Sequence, residues 1–356
     1  MVRSLGKNKG GNSTMTTTGV NAENPYLYGW ASTDEIREYR RNNKSANKID
    51  KRVTLKEAVS RGVNQGDYIV FSGMGSVRNP MAAVYEIIRQ NIGDLTVAAK
   101  GSQHDWQLLA AAGLITKAEI AYGFGDEIRG LCPASRRAVK NGTLKILSEM
   151  TNAGFQWRFS AAARGIPFFP SRTALGTDTL HYSGAKVIED PFSGEKINLL
   201  PACYPDVAVI HVHRADKYGN CQIDGNITLD VEIAHAAKKV IITAEKIVSD
   251  EEIQKRPDLT KIPFFVVDAV VEVPYGSHPN QVPYQYSFDE DQWMNWLKAS
   301  ETDEGVQEYL DTYIRSTKDH YEYLEKIGGL RKVRELENIE NGTAPHPTVS
   351  TRGALK

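Results

Sequence analysis

Two rhythms of apolar residues alternate along this chain. Short, mostly apolar stretches at Tyr68–Phe71, Leu95–Ala99, Ala118–Phe124 and Leu144–Leu147, and the continuous apolar runs Val207–Ile210 and Val240–Ile242, read as strands. Between the earlier runs, apolar side chains recur at the three- and four-residue spacing of helices. Thr54-Leu55-Lys56-Glu57 is a capping box opening a helix that runs to Arg61. Asn79-Pro80 reads as an N-cap and a proline at the first helical position. The helix it opens runs to Asn91, with Ala83, Val84, Ile87 and Ile88 on one face. Further helices are expected at His104–Ala112, ended by Gly113, at Pro133–Lys140, ended by Asn141-Gly142, and at Phe155–Arg164, ended by Gly165-Ile166-Pro167. Strands and helices alternating in this way predict an α/β fold, a mostly parallel sheet with helices on both faces.

Around that core the pattern changes. Residues 1–20 are polar and glycine-rich and are expected to be disordered, and residues 21–51 form an N-terminal extension carrying Tyr26, Tyr28 and Trp30. The α/β domain is expected over 52–284, with a turn-rich excursion from the sheet at 173–200. Residues 285–337 read as a helical C-terminal region anchored by Trp293, Trp296, Leu297, Tyr309 and Leu310, and 338–356 as a polar tail. The extension either packs on its own domain or wraps a partner chain.

Charge narrows the function. The chain has 356 residues with 43 basic and 44 acidic side chains, a balance that does not favour a nucleic-acid partner. No apolar run reaches the roughly 18 residues a membrane-spanning helix needs. Cys132, Cys203 and Cys221 are widely spaced and odd in number, and no signal sequence precedes them, so a reducing cytoplasm is the expected compartment.

The chemistry concentrates after the first strand. Ser72-Gly73-Met74-Gly75-Ser76 is a loop of mostly small residues between a strand and a helix start, a place where backbone N–H groups meet an anion. It matches neither Gly-x-Gly-x-x-Gly nor a P-loop, so the glycines alone do not specify a nucleotide. Arg78 adds a guanidinium able to grip a carboxylate with two hydrogen bonds, or else to form a salt bridge. Ser72 and Ser76 offer hydroxyl donors or simple turn formation, and Ser102, after the second strand, is a weaker candidate of the same kind. His211 and His213 share a strand face, but no third or fourth ligand with suitable spacing accompanies them, so a metal site is not expected. A structural turn built on His213, Asp216 and Gly219-Asn220 is the better reading.

Several segments in order carry a family resemblance over roughly residues 52–330. They are Ser72-Gly73-Met74 with Arg78-x-Pro80; Ala161-Ala162-Ala163-Arg164-Gly165-Ile166-Pro167-Phe168-Phe169-Pro170; His211-Val212-His213-Arg214-Ala215-Asp216 with Gly219-Asn220; Ser249-Asp250-Glu251-Glu252-Ile253; and Asp268-Ala269-Val270-Val271 through Pro274-Tyr275-Gly276-Ser277-His278-Pro279. Together they resemble the α subunit of family I coenzyme A transferases, most of all the glutaconate type. Ser72 and Met74 stand where that family's loop usually has a glycine and an aromatic, a departure that bears on substrate identity.

The resemblance implies ping-pong exchange. A glutamate carboxylate, carried by the β subunit, attacks an acyl-CoA, and the resulting glutamyl-CoA thioester passes CoA to an acceptor acid. This chain would supply the Ser72–Ser76 loop, with Arg78 and Ser102, as oxyanion and substrate-binding wall; coenzyme A is substrate, with no permanent cofactor. The partners implied are a β subunit, in an α2β2 assembly or a multiple, an acyl-CoA and a small carboxylic acid. The only match to the β-type glutamate motif, Glu340-Asn341-Gly342, lies in the polar tail and reads as coincidence. Two rivals stand beside this reading. One is a ring-cleaving CoA-thioester hydrolase on the same scaffold, with Glu127 as base beside Asp126; the other is a non-catalytic structural subunit.

Overall fold

A computed structural model describes residues 26–101, 104–126 and 129–349. The strands are β1 (Tyr68–Phe71), β2 (Leu95–Lys100), β3 (Ile115–Ala121), β4 (Lys145–Glu149), β5 (Phe168–Ser171), β6 (Lys186–Glu189), β7 (Lys196–Pro201), β8 (Val207–Ala215), β9 (Cys221–Gln222), β10 (Lys239–Ile247), β11 (Thr260–Ile262) and β12 (Ala269–Glu272). Seven of them lie parallel in the order β12-β10-β8-β1-β2-β3-β4. From β1 the chain winds outward through β2, β3 and β4; from β8 it winds the other way through β10 and β12. The strand order therefore reverses between β1 and β8.

The predicted strands all form, and their alternation divides the core. Ile69 and Phe71 enter one hydrophobic cluster, with helices α2 (Leu55–Gly62), α3 (Met81–Arg89) and α4 (His104–Ala111). Tyr68 and Val70 enter the other, with α6 (Asn152–Arg164), which follows α5 (Pro133–Lys140), and with α7 (Asp230–Ala236). Beyond α8 (Asp250–Lys255), helices α9 (Glu290–Ala299), α10 (Asp303–Leu310), α11 (His320–Lys326) and α12 (Gly329–Glu340) make the C-terminal region and close the first face.

Several boundaries differ for local reasons. β3 starts three residues before the expected Ala118 and stops at Ala121, where Tyr122 turns the chain with φ 57°. α3 begins at Met81 with Pro80 at its cap, and Asn79 does not cap it; its Nδ2 instead donates to Asp105 Oδ2 at 3.2 Å. The turn-rich excursion is a separate antiparallel sheet, β5-β7-β6. Residues 1–20, expected to be disordered, lie outside the described residues. From Tyr26 onward the extension packs on its own domain. Arg158 Nη2 donates to Tyr28 O at 2.6 Å, Tyr28 Oη to Thr96 Oγ1 at 3.2 Å, and α1 (Thr33–Asn43) buries Ile36.

One core group sets an acid limit on this fold. His104 is fully buried against Trp293 and Trp296, at ring-centroid distances of 4.6 and 5.8 Å, with neither ring nitrogen hydrogen-bonded. Burial holds its pKa down to about 3, and His320 likewise to about 3. The unfolded chain binds these protons below its ordinary histidine value of about 6.5, so stability is complete above that pH and falls below it. Each histidine is expected to cost up to about 1.4 kcal/mol per pH unit as acidity increases toward pH 3. Urea unfolding of His104→Phe across that range should show a shallower pH slope than the parent.

Candidate active site

The loop after β1 sits at the point where strand order reverses, the place where α/β sheets bind ligands. Ser72 ties it to β8: its Oγ donates to Arg78 O at 3.2 Å and accepts from His211 N at 2.9 Å. Gly73 has φ 96°, and a Cβ there would lie 2.5 Å from Val77 O, so only glycine fits. Met74 and Val77 exchange backbone hydrogen bonds of 3.2 Å each, closing a tight turn over Gly75 and Ser76. Gly75 N donates to Gly101 O at 2.6 Å. The amides of Met74 and Gly75 are therefore occupied within the protein, while that of Gly73 meets no acceptor among the described residues.

A strap from the C-terminal side holds the far half of this loop. Gln281 N donates to Ser76 O at 2.8 Å, Arg78 N to Gln281 O at 2.9 Å, and Ala82 N to Gly276 O at 2.9 Å. Neither the strap nor its Gln281 was visible in the sequence, because no local signal marks a contact spanning some two hundred residues.

Arg78 takes the salt-bridge alternative, within its own chain. It does not reach out to a substrate acid; it is fully buried at φ 53°, and its Nη1 and Nη2 bind Asp230 Oδ1 and Oδ2 at 2.9 and 2.8 Å. The same nitrogens donate to His211 O at 3.2 Å and Asn226 O at 2.9 Å. Asp230, the first residue of α7, was missed because the helix carries no capping signature. The guanidinium thus locks the loop to the β8 side of the sheet.

The histidines are also engaged. His211 bonds Thr243 Oγ1 at 2.8 Å and Glu245 Oε1 at 2.7 Å, in register with the neighbouring strand. Tyr286 Oη and Tyr275 N donate to the same carboxylate at 2.7 and 2.6 Å. His213 donates from Nε2 to Pro283 O at 2.9 Å and accepts from Asp224 N at Nδ1, and burial lowers its pKa, so it is neutral. Among the described residues no group of three or more His, Cys, Asp or Glu side chains could hold a metal ion. Asp216 builds the expected turn without His213, its Oδ1 accepting from the amides of Tyr218, Gly219 and Asn220 at 2.8–2.9 Å.

Of the remaining candidates, Ser102 and Glu127 lie outside the described residues. Asp126 is buried and accepts from Gln107 Nε2 at 3.1 Å. Glu340-Asn341-Gly342 is the end of α12, with Asn341 at its C-cap and Gly342 at φ 72°. Beyond the ends of β3 and β4 a cavity of about 420 Å³ is lined by Ile120, Tyr122, Phe124, Leu131, Glu149 and Met150. Tyr122 and Leu131 of this cavity are exposed, as are Met74 of the glycine loop and Tyr284.

A comparison with protein-family models matches residues 52–273 to the family described as Coenzyme A transferase. The chain belongs to the coenzyme A transferase family. It is 34% identical over 302 residues to the A subunit of glutaconate CoA-transferase from Acidaminococcus fermentans, covering 80% of this chain and 94% of that one. The crystal structure of glutaconate coenzyme A-transferase from that organism superposes with a TM-score of 0.77 over 81% of this chain and 95% of the other. The cholesterol ring-cleaving hydrolase IpdA subunit of Rhodococcus jostii is 30% identical over 285 residues, 77% of this chain and 95% of that protein. As a coenzyme A transferase homologue, the chain places its glycine loop at the crevice expected of a parallel α/β sheet.

Removing the countercharge of Arg78 should damage more than the loop. Asp230→Ala leaves a buried cation unpaired and is expected to cost about 3–5 kcal/mol in urea unfolding.

Proposed function

We propose that this chain is the α subunit of a heteromeric CoA-transferase that moves coenzyme A between an acyl-CoA and a carboxylic acid. The observation that carries this reading is the Gly73 N–H left without an acceptor among the described residues in the loop at the strand-reversal crevice, in a chain one-third identical to one chain of a glutaconate CoA-transferase. In this reading a thioester carbonyl comes to rest against the loop, and the Gly73 N–H donates to the oxygen as negative charge develops there. Ser72 and the Arg78–Asp230 pair position that donor from behind. The nucleophile is a glutamate of a partner β chain, which closes over the exposed apolar residues Met74, Tyr122, Leu131 and Tyr284, in an α2β2 assembly or a multiple, in the cytoplasm. Because Arg78 is occupied, the acceptor's carboxylate is held by other groups.

Hydrolysis is the second reading, supported by the 30% identity to a ring-cleaving hydrolase subunit. There Glu127 of this chain acts as general base on water.

Co-expression with a β chain, incubation with an acyl-CoA and reduction with borohydride distinguishes the two. Transfer predicts inactivation and a mass change on a partner glutamate; release of free CoA without acceptor, and no modified glutamate, supports hydrolysis. Glu127→Gln is expected to reduce transfer modestly and to abolish hydrolysis. Gly73→Ala keeps the N–H but, through the clash with Val77 O, shifts it from its place, and is expected to lower kcat by at least about 100-fold, the scale of one lost oxyanion donor. The left-handed φ and the clash with Val77 O also cost stability, so kcat is read on the folded, assembled fraction, and an unchanged kcat there would overturn the role of this loop.

A further inference from the structure

The small β5-β7-β6 sheet ends in an edge, β6, that pairs with no further strand among the described residues. All of β6, Lys186-Val187-Ile188-Glu189, is exposed, and so is Tyr182 just before it. Phe192, at the tip of the β6–β7 hairpin, is 97% exposed. The other face of this sheet is anchored: Asn198 and Leu200 are buried, and Phe169 stacks on Trp157 at 5.2 Å. An uncapped edge with apolar residues is a template for another strand.

The hydrogen bonding determines which groups that edge presents. Asp190 N donates to Glu195 O at 2.8 Å across the end of the β6–β7 ladder, so residue 190 turns its N–H toward β7. By alternation residues 186 and 188 also turn their N–H and C=O groups toward β7, so those of Val187 and Glu189 point outward. A two-fold axis normal to the sheet must pass through a residue pair, since opposed residues share a face. With the axis at Ile188, Val187 of each copy opposes Glu189 of the other and four backbone hydrogen bonds form. Ile188 then meets Ile188, and each Lys186 opposes Asp190 of the other copy. Lys186 has no ion pair of its own among the described residues. Moving the axis to Val187 would instead set Lys186 against Ile188. In the chosen register the Phe192 tip reaches the segment around Tyr182 and Gly184 of the other copy, covering apolar side chains that the single chain leaves in water.

We propose that β6 is a homodimer interface, pairing antiparallel with β6 of a second copy of this chain about a two-fold axis at Ile188. The exposed Lys186–Asp190 pairs set register more than affinity, because such pairs are worth little in water. Backbone pairing and the Ile188 and Phe192 contacts hold the two copies together. The proposal does not depend on the reaction assigned to the glycine loop.

The register makes a sharp test. Opposed residues of a non-hydrogen-bonded pair come within disulfide range, whereas the two Val187 positions are offset by two residues along the strands, beyond the roughly 7 Å Cα limit. The native cysteines, Cys132, Cys203 and Cys221, are all buried and leave little background. The full-length chain, co-expressed with its β partner, would carry Ile188→Cys or Val187→Cys and be oxidised with diamide, then run on a non-reducing gel. Ile188→Cys is expected to convert most of this chain to a covalent pair of itself and Val187→Cys little of it. Ile188→Lys should halve the number of copies of this chain in the assembly by sedimentation. Equal cross-linking at both positions, cross-linking to a different protein, or an unchanged copy number with Ile188→Lys would overturn the proposal.

Discussion

The buried ion pair between Arg78 and Asp230 is the constraint on which the candidate site depends. Taking both charges out of water is costly, and a pair of this kind contributes little net stability compared with apolar residues of the same size. It secures geometry instead. The planar guanidinium can satisfy a carboxylate and two carbonyls only in one orientation, and that orientation draws Arg78 into a left-handed backbone conformation. The loop from Ser72 to Asn79 is then fixed at both ends, by β1 on one side and by the buried arginine on the other.

The sheet explains why that loop matters. Strands running in opposite winding directions from β1 and β8 leave a crevice between their carboxyl ends, and the glycine loop lies over it. The strap that includes Gln281 crosses the same loop from the C-terminal region. A site residue, its buried anchor and its outer clamp thus come from three distant parts of the chain. Coenzyme A transferase homology agrees with this arrangement, since the matched residues 52–273 include the loop, the crevice strands and Asp230.

Much of the architecture was legible in sequence because it rests on local physics. Strands buried on both faces are mostly apolar, and helices packed on a sheet are amphipathic, so the six strand runs and the helices between them were legible. The boundaries that moved did so where long-range contacts decided. Pairing with β2 extended β3 backward, and the excursion at 173–200 became a sheet of its own. The extension before residue 52 packed on the domain because Tyr28 found Thr96 and Arg158, which no window of sequence brings together.

The candidate site divides in the same way. The sequence by itself determined the glycine loop and its position between a strand and a helix, because a small-residue turn is a local requirement of the backbone. It also determined the Asp216 turn, whose donors all lie within four residues. Only the tertiary structure decided what Arg78 does. A guanidinium beside a loop is equally suited to a substrate carboxylate and to a protein one, and Asp230 lies 152 residues away along the chain. The same holds for His211, which neighbouring strands surround with Thr243 and Glu245. Partner choice for a polar side chain is set by what packing places within about 3 Å of it, and that distance does not exist until the sheet has formed.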